Sequence, residues 1–304
     1  MTATDTTARA PLSIRGREWI HAWLLLLPAL VFLFAFTHIP AIATFWHSFF
    51  STPRGRRPAR FLGLDNYERM IADPVFWKVM GNNLWFALGT IPVSIALAIV
   101  MALWVNDRLT GRGFVRMAYF TPTVLPLIAV ANIWLFFYTP GFGLIDQVTG
   151  SLFGWPHTNW LGDPATALNA VIVVTVWKEA GFFMIFYLAA LQAIPPSLVE
   201  AAKIEGAGKW TIFRRITFPL MMPTTLFVSI NAVINSFRLV DHIFILTDGG
   251  PDNASSLLLF YIYETAFEYW ETGYGATLTV ALLVILCALA IGQFFLFDRK
   301  VHYK

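Results

Sequence analysis

The sequence contains 304 residues, of which 57% are hydrophobic and 13% are charged, with a net charge of +3 and a mean hydropathy of +0.63. Soluble domains carry about 25% charged residues, so this composition excludes an ordinary soluble domain and indicates an integral membrane protein. The single cysteine, Cys287, provides neither a disulfide nor a cysteine-based metal site.

Long runs with few or no charges follow one another along the chain, at residues 22–46, 84–105, 117–138, 165–190, 219–246 and 276–297. The last run would measure about 33 Å as a helix, at about 1.5 Å per residue, which is enough to cross a hydrocarbon core of about 30 Å. The runs are continuously apolar rather than alternating, which favours helices over a β-barrel. The sequence therefore predicts an all-α polytopic membrane protein with six transmembrane helices.

The positions of Lys and Arg predict that both chain ends lie in the cytoplasm. Basic residues occur in the amino-terminal tail, the second and fourth connections and the carboxyl tail, whereas the third and fifth connections contain acidic residues and neither Lys nor Arg. The first connection, 51–83, is expected outside, yet it contains Arg54, Arg56, Arg57, Arg60, Arg69 and Lys78. We divide the chain into a cytoplasmic tail, 1–19, a transmembrane domain, 20–298, and a second cytoplasmic tail, 299–304.

Prolines in the apolar runs predict bends, because proline removes a backbone hydrogen bond. They are Pro92 in the second run and Pro122 and Pro126 in the third. These bends could enclose a cavity or could serve packing alone.

The polar connection at 193–222 is predicted to form two short helices on the cytoplasmic face. Pro195-Pro196 should end the preceding helix, and the capping-box pattern of Ser197 and Glu200 predicts a helix that begins near Leu198.

After this first short helix, Gly206 and Gly208 should form a left-handed turn, and 210–218 should form a second helix before Pro219. The small side chains of Ala201 and Ala202 would let a partner approach the backbone closely. An ordinary amphipathic loop helix is the alternative.

Motifs along nearly the whole chain from Trp23 on resemble those of binding-protein-dependent ABC importer permeases, in the carbohydrate-uptake branch that includes maltose and glycerol-3-phosphate permeases. The polar connection resembles their EAA loop through Glu200-Ala201-Ala202, Gly206-Ala207, Ile216, Pro219 and Pro223. The other matching segments are 61–67, Trp177, 191–195 and 249–251. Glu205 departs from the family, which usually has Asp at that position, but it keeps the charge.

The resemblance implies a type I ABC importer permease in the bacterial inner membrane, with a cytoplasmic coupling helix. The residues that would dock into the ATPase are Glu200, Ala201, Ala202, Ile204, Glu205, Gly206 and Ala207. The implied partners are a second homologous permease, two ABC ATPase subunits, an extracytoplasmic substrate-binding protein and membrane lipid, with no nucleic acid. The implied cargo is a sugar or a related polyol or sugar phosphate.

The chain itself lacks the residues of a nucleotide site. The segment 206–211 superficially resembles a phosphate-binding loop, but Trp210 lies where Ser or Thr should bind magnesium and Lys203 replaces the first glycine. We therefore expect a translocation subunit that binds no cofactor and is not an enzyme, with ATP and magnesium used by the partner ATPase.

Polar residues in the fifth apolar run predict one polar helix face, since they are separated by four, three and four positions: Asn231, Asn235, Arg238 and His242. Asn231 and Asn235 could line a substrate path or join helices, with equal weight for the two. For Arg238, an ion pair with Asp241 or a gate is favoured over a substrate contact.

In the fourth run, Lys178 and Glu179 are neighbours about 100° apart on a helix, so each should find its own partner across a helix interface. Contact with a ligand is the less favoured interpretation.

Segment 257–269, after Gly249-Gly250-Pro251, is amphipathic and acidic and is predicted to form a helix along the outer surface. It could dock a solute-binding protein or be a plain surface helix. An ion-coupled secondary transporter is the alternative function, but it would leave the elaborate polar connection unexplained. A membrane enzyme would need converging catalytic groups, which the sequence does not display.

Overall fold

The computed structural model describes residues 12–106, 111–154 and 157–298. The predicted tails, 1–19 and 299–304, lie outside these ranges except for 12–19, which form the start of the first helix.

All regular elements in the described ranges are helices, as predicted. They are α1 (Leu12–Leu33), α2 (Ile39–His47), α3 (Asp65–Ala72), α4 (Pro74–Asn106), α5 (Arg112–Val124), α6 (Leu127–Phe137), α7 (Leu144–Phe153), α8 (Ala167–Ala193), α9 (Pro196–Ile204), α10 (Lys209–Ile212), α11 (Phe218–Leu220), α12 (Met222–Arg238), α13 (Asp241–Leu246), α14 (Leu258–Tyr263) and α15 (Thr272–Asp298). Short π-helical turns at Phe34–His38 and Phe213–Thr217 join α1 to α2 and α10 to α11, and a third, Glu264–Glu268, extends α14.

Four segments are long and apolar enough to cross a membrane: Trp19–His47, Pro74–Asn106, Ala167–Ala193 and Thr272–Gln293. Two further pairs meet the same test together but are bent, by 100° between Gly113–Val124 and Leu127–Phe137 and by 66° between Lys209–Leu220 and Met222–Arg238. The described residues therefore contain four spans, or up to six if each bent pair crosses once.

The third apolar run is broken at Pro126, one of the prolines predicted to bend the chain. Leu125 is extended, with ψ 136°, and Pro126 precedes the first residue of α6. A residue before proline avoids the helical region, which accounts for the break at this point. Pro92 and Pro122, in contrast, lie inside α4 and α5.

The fifth apolar run was expected to form one helix, and that expectation is wrong. The helix α12 ends at Arg238, Leu239 is extended with ψ 108°, and α13 starts at Asp241. No proline or glycine lies at this break, so the local sequence carried no signal for it.

The centre of the bundle is formed by α4 and α8, whose buried faces include Ala98, Ala102 and Tyr187. At Gly181 the backbone of α5 comes so close that an added Cβ would lie 2.0 Å from the Tyr119 carbonyl oxygen. Glycine is therefore required there for α5 to pack against α8.

The unexpectedly basic first connection packs beside the acidic fifth connection. Arg69 forms an ion pair of 2.6 Å with Glu271, and its guanidinium lies 4.0 Å from the centre of the Tyr274 ring. Lys78 donates a hydrogen bond to the carbonyl of Asp252. These contacts place both connections on the same side of the bundle, as expected.

Asp146 of α7 holds together the connection between α6 and α8. Its carboxylate is buried and accepts hydrogen bonds from the backbone N–H groups of Gly141 and Thr158, at 2.7 and 3.0 Å, while His157 Nδ1 lies 2.7 Å away. The N–H groups of Thr158 and Gly141 lower the pKa of Asp146 to about 2, from an ordinary value of 3.8.

A carboxylate whose pKa is lowered by folding stabilises the protein above its ordinary pKa and loses that contribution as the pH falls through its folded pKa. We therefore expect Asp146→Asn to lower the unfolding temperature at neutral pH. The difference from wild type should shrink as the pH falls from about 4 towards about 2.

This difference can be measured by thermal unfolding of the purified protein in detergent at a series of pH values. Glu68→Gln is the control, because Glu68 is exposed and makes no side-chain hydrogen bond or ion pair in the described residues. A difference for Asp146→Asn that did not change with pH would contradict the assigned role.

Candidate functional site

The short helix α9 begins earlier than the capping-box pattern predicted. Pro195 precedes its first residue and Pro196 occupies the first helical position, where the missing N–H of proline costs nothing. No side chain forms a capping hydrogen bond at this end, so the predicted box between Ser197 and Glu200 is wrong. Ser197 lies within the first turn instead of preceding it.

The other end of α9 is closed by the left-handed turn predicted at Gly206. Gly206 has φ +80°, its N–H donates to the Lys203 carbonyl at 3.0 Å, and the Ala207 N–H donates to the Ala202 carbonyl at 2.9 Å. These two bonds form a Schellman motif, in which glycine is favoured because its backbone adopts positive φ without strain. Gly208 is extended, with φ −71°, and starts α10 rather than ending α9.

The residues of α9 separate into two faces. Each residue rotates a helix by about 100°, so Val199, Ala202 and Lys203 project to one side. Ala202 is buried and Val199 is half-buried. This side of α9 faces the bundle.

The opposite side, which we call the outer face of α9, consists of Glu200, Ala201, Ile204 and Glu205, all exposed. Ile204 is 87% exposed, and neither glutamate forms a side-chain hydrogen bond or ion pair in the described residues. The outer face thus offers two free carboxylates around an apolar centre.

The inner face of α9 borders a cleft shared with the ends of the long helices. The cleft is lined by residues of α4, α8, α9 and α10 that include Leu103, Asn106, Leu191, Val199 and Ile212. A displacement of α9 is therefore transmitted to α4 and α8, which form the centre of the bundle.

Inside the bundle, Lys178 of α8 caps the broken end of α5. Its Nζ donates to the carbonyl oxygens of Leu125, Pro122 and Thr123, at 2.7, 3.0 and 3.4 Å. The break at Pro126 leaves the last carbonyls of α5 without helical partners, and a cation is favourable at a helix carboxyl end.

Glu179 has a different partner, as predicted for two adjacent residues that face apart. Its Oε2 accepts a hydrogen bond of 3.0 Å from Asn235 Nδ2 of α12. Asn231 donates to the Phe227 carbonyl of its own helix at 2.8 Å.

The single polar face predicted for the fifth run does not form, because His242 lies beyond the break, on α13. His242 is buried and its Nε2 lies 3.2 Å from Thr175 Oγ1. Arg238 is exposed at the end of α12, and the predicted ion pair with Asp241 is not formed, since among the described residues Arg238 contacts no carboxylate within 4.0 Å.

Glu179 and Asn235 line a small cavity whose other polar residues the sequence analysis did not identify: Thr90, Ser94, Thr175 and Ser236. Ser94 Oγ is buried without a hydrogen-bond partner in the described part of the chain. Thr90 and Ser94 are four residues apart inside an apolar run, a spacing that could have identified this polar stripe.

Comparison with known proteins follows the same outline. A sequence model of the family described as "binding-protein-dependent transport system inner membrane component" matches residues 94–303. The trehalose/maltose transport system permease protein MalF of Thermococcus litoralis is 33% identical over 278 residues, which cover 91% of this chain and 92% of that protein. The sn-glycerol-3-phosphate transport system permease protein UgpA of Yersinia pestis is 30% identical over 289 residues, 94% of this chain and 97% of that one.

The fold is also similar to a chain in a solved structure. In the crystal structure of a bacterial alginate ABC transporter in complex with alginate pentasaccharide-bound periplasmic protein, one chain matches with a TM-score of 0.83 and 21% identity. The match covers 94% of this chain and 96% of that one.

The contacts of Lys178 and Arg238 predict opposite effects on stability. Lys178→Met leaves three carbonyls at the break without their donor and should destabilise the protein by about 1–3 kcal/mol. Arg238→Met removes an exposed group without an ion pair and should change stability by about 0.5 kcal/mol or less. Thermal unfolding in detergent measures both, and equal effects of the two substitutions would contradict the capping role of Lys178.

Proposed function

This chain belongs to the family of binding-protein-dependent transport system inner membrane components, and we propose that it is the permease subunit through which an ABC importer moves a sugar or a related polyol or sugar phosphate. The observation that carries the mechanism is the outer face of α9, which is exposed and unpaired while its inner face packs on the bundle. An ion-coupled secondary transporter is not favoured, because membership of this family accounts for the polar connection.

The cargo proposal is supported by the printed names of the relatives, which transport trehalose and maltose or sn-glycerol-3-phosphate. The cavity beside Glu179 and Asn235 contains hydroxyl, amide and carboxylate groups, which suit the hydroxyls of a neutral sugar. Lys178, the basic residue closest to this region in sequence, is engaged by three carbonyl groups and is therefore less available to an anion.

For the path itself, we assign Asn235 and Glu179 to the cavity wall and Lys178 to the support of the broken helix. Asn231 and Arg238, which lie one helical turn to either side of Asn235 on α12, extend this path towards the two ends of the helix. Arg238 is exposed and unpaired, so it is available as a gate residue at the end of α12.

The importer would contain a second homologous permease, two ABC ATPase subunits and an extracytoplasmic substrate-binding protein. ATP and magnesium would act in the ATPase subunits alone. Both termini of this chain and the polar connection would lie in the cytoplasm, in agreement with the distribution of basic residues.

Coupling would proceed through α9. Glu200, Ala201, Ile204 and Glu205 would enter a groove of one ATPase subunit, with Gly206 and Ala207 closing the helix and Ala202 facing the bundle. Closure of the two ATPase subunits on ATP would move α9 as a rigid unit, and the shared cleft would pass that movement to α4 and α8.

The adjacent alanines Ala201 and Ala202 test this mechanism because they project to different faces. Ala201→Leu adds bulk to the exposed outer face, so it should leave stability within about 0.5 kcal/mol of wild type while reducing ATP-driven uptake about tenfold or more. Ala202→Leu adds the same bulk to the buried face and should cost about 1–3 kcal/mol of stability.

Uptake into proteoliposomes, ATP hydrolysis and unfolding temperature should be measured on the same preparations of the complete importer. If the Ala201→Leu importer contained its ATPase subunits and transported at the wild-type rate, α9 would not be the coupling element.

A further inference from the structure

A groove lies between the last turns of α4 and the segment that follows α9. Its apolar wall includes Val100 and Leu103 of α4 and Phe213 of the π-helical turn. Val100 is 61% exposed on a helix that is long enough to span the membrane, so this wall is continuous with a surface that faces hydrocarbon.

The depth of the groove corresponds to the boundary between lipid chains and headgroups. The helix α4 ends at Asn106, and Val100 lies about 9 Å before that end at about 1.5 Å per residue. The headgroup regions on the two sides of a bilayer add about 10–15 Å to its hydrocarbon core. The groove therefore meets both zones.

Basic and aromatic residues form the rim of the groove: Lys203, Lys209 and Trp210. Neither lysine forms a side-chain hydrogen bond or an ion pair in the described ranges. Trp210 is 70% exposed and stacks on Phe213 with ring centres 5.5 Å apart. Tryptophan is enriched at the headgroup level of membranes, and lysines beside a spanning helix attract anionic headgroups.

The nearest carboxylates do not oppose an anion in the groove. Glu200 and Glu205 belong to the outer face of α9, whereas Val199 and Lys203 belong to the side that borders the groove. An ATPase subunit on the outer face would leave the groove accessible.

We infer that this groove binds one anionic phospholipid, with its phosphate between Lys203 and Lys209 and an acyl chain along Val100 and Leu103. The assignment to the cytoplasmic leaflet rests on the orientation in the proposed function. The bound lipid would fill the space between α4 and the coupling segment, and the inner side of α9 would then rest partly on lipid.

Native mass spectrometry of the complete importer in detergent tests this inference. The complex should be titrated with phosphatidylglycerol and with phosphatidylcholine of the same acyl chains. Wild type should bind one phosphatidylglycerol more tightly than any phosphatidylcholine, and Lys203→Gln with Lys209→Gln should weaken that binding about tenfold or more.

The matched control is Arg56→Gln with Arg57→Gln, which removes two exposed basic residues from the first connection, outside the groove. This control should retain the tight phosphatidylglycerol site. Because the measurement counts bound lipid and not transport, a failure of α9 as the coupling element would leave the result unchanged.

Equal binding of the two lipids by wild type, or full retention of phosphatidylglycerol by the Lys203 and Lys209 variant, would overturn the inference. Binding that appeared only after the ATPase subunits had dissociated would also overturn it, since a partner protein would then occupy the groove.

Discussion

The structure depends on the requirement that polar groups in hydrocarbon find partners within the protein, because no water is present to replace them. Lys178 meets this requirement at the break between α5 and α6, where it donates to three carbonyls. Glu179 meets it through Asn235 of α12. These contacts join α8 to its neighbours and allow helices that are broken, rather than straight, to enclose a polar cavity.

The outer face of α9 differs from the interior in this respect. Glu200 and Glu205 are unpaired and Ile204 is exposed, although the other side of the same helix is packed on the bundle. A helix of nine residues would be marginal by itself. Here Pro196 begins it, the turn at Gly206 ends it, and Ala202 fixes it to the bundle, so a force on its outer face moves the helix as a unit.

Much of this arrangement could be predicted from the sequence, because the membrane imposes long apolar runs and the family motif lies in the one strongly polar connection between them. The separate partners of Lys178 and Glu179 followed from helical geometry, and the break at Pro126 from the chemistry of proline. The break after Arg238 could not be predicted, because no local residue requires it and the packing of α13 against α6 and α8 belongs to the tertiary structure. The capping-box prediction failed because Pro196 set the helix start one turn position earlier than Ser197 would have done. The basic first connection seemed to contradict the orientation until the ion pair between Arg69 and Glu271 showed which connection it faces.

Site-directed crosslinking of the assembled importer tests the central claim most directly. Single cysteines should be introduced as Ile204→Cys on the outer face and Ala202→Cys on the inner face, with Cys287, an exposed free cysteine, replaced by serine. We predict that a short thiol-reactive photocrosslinker at position 204 joins this chain to the ATPase subunit and that its yield changes when ATP binds, whereas position 202 gives no such product. An assembled, transporting complex in which position 204 never reached the ATPase subunit would contradict the account.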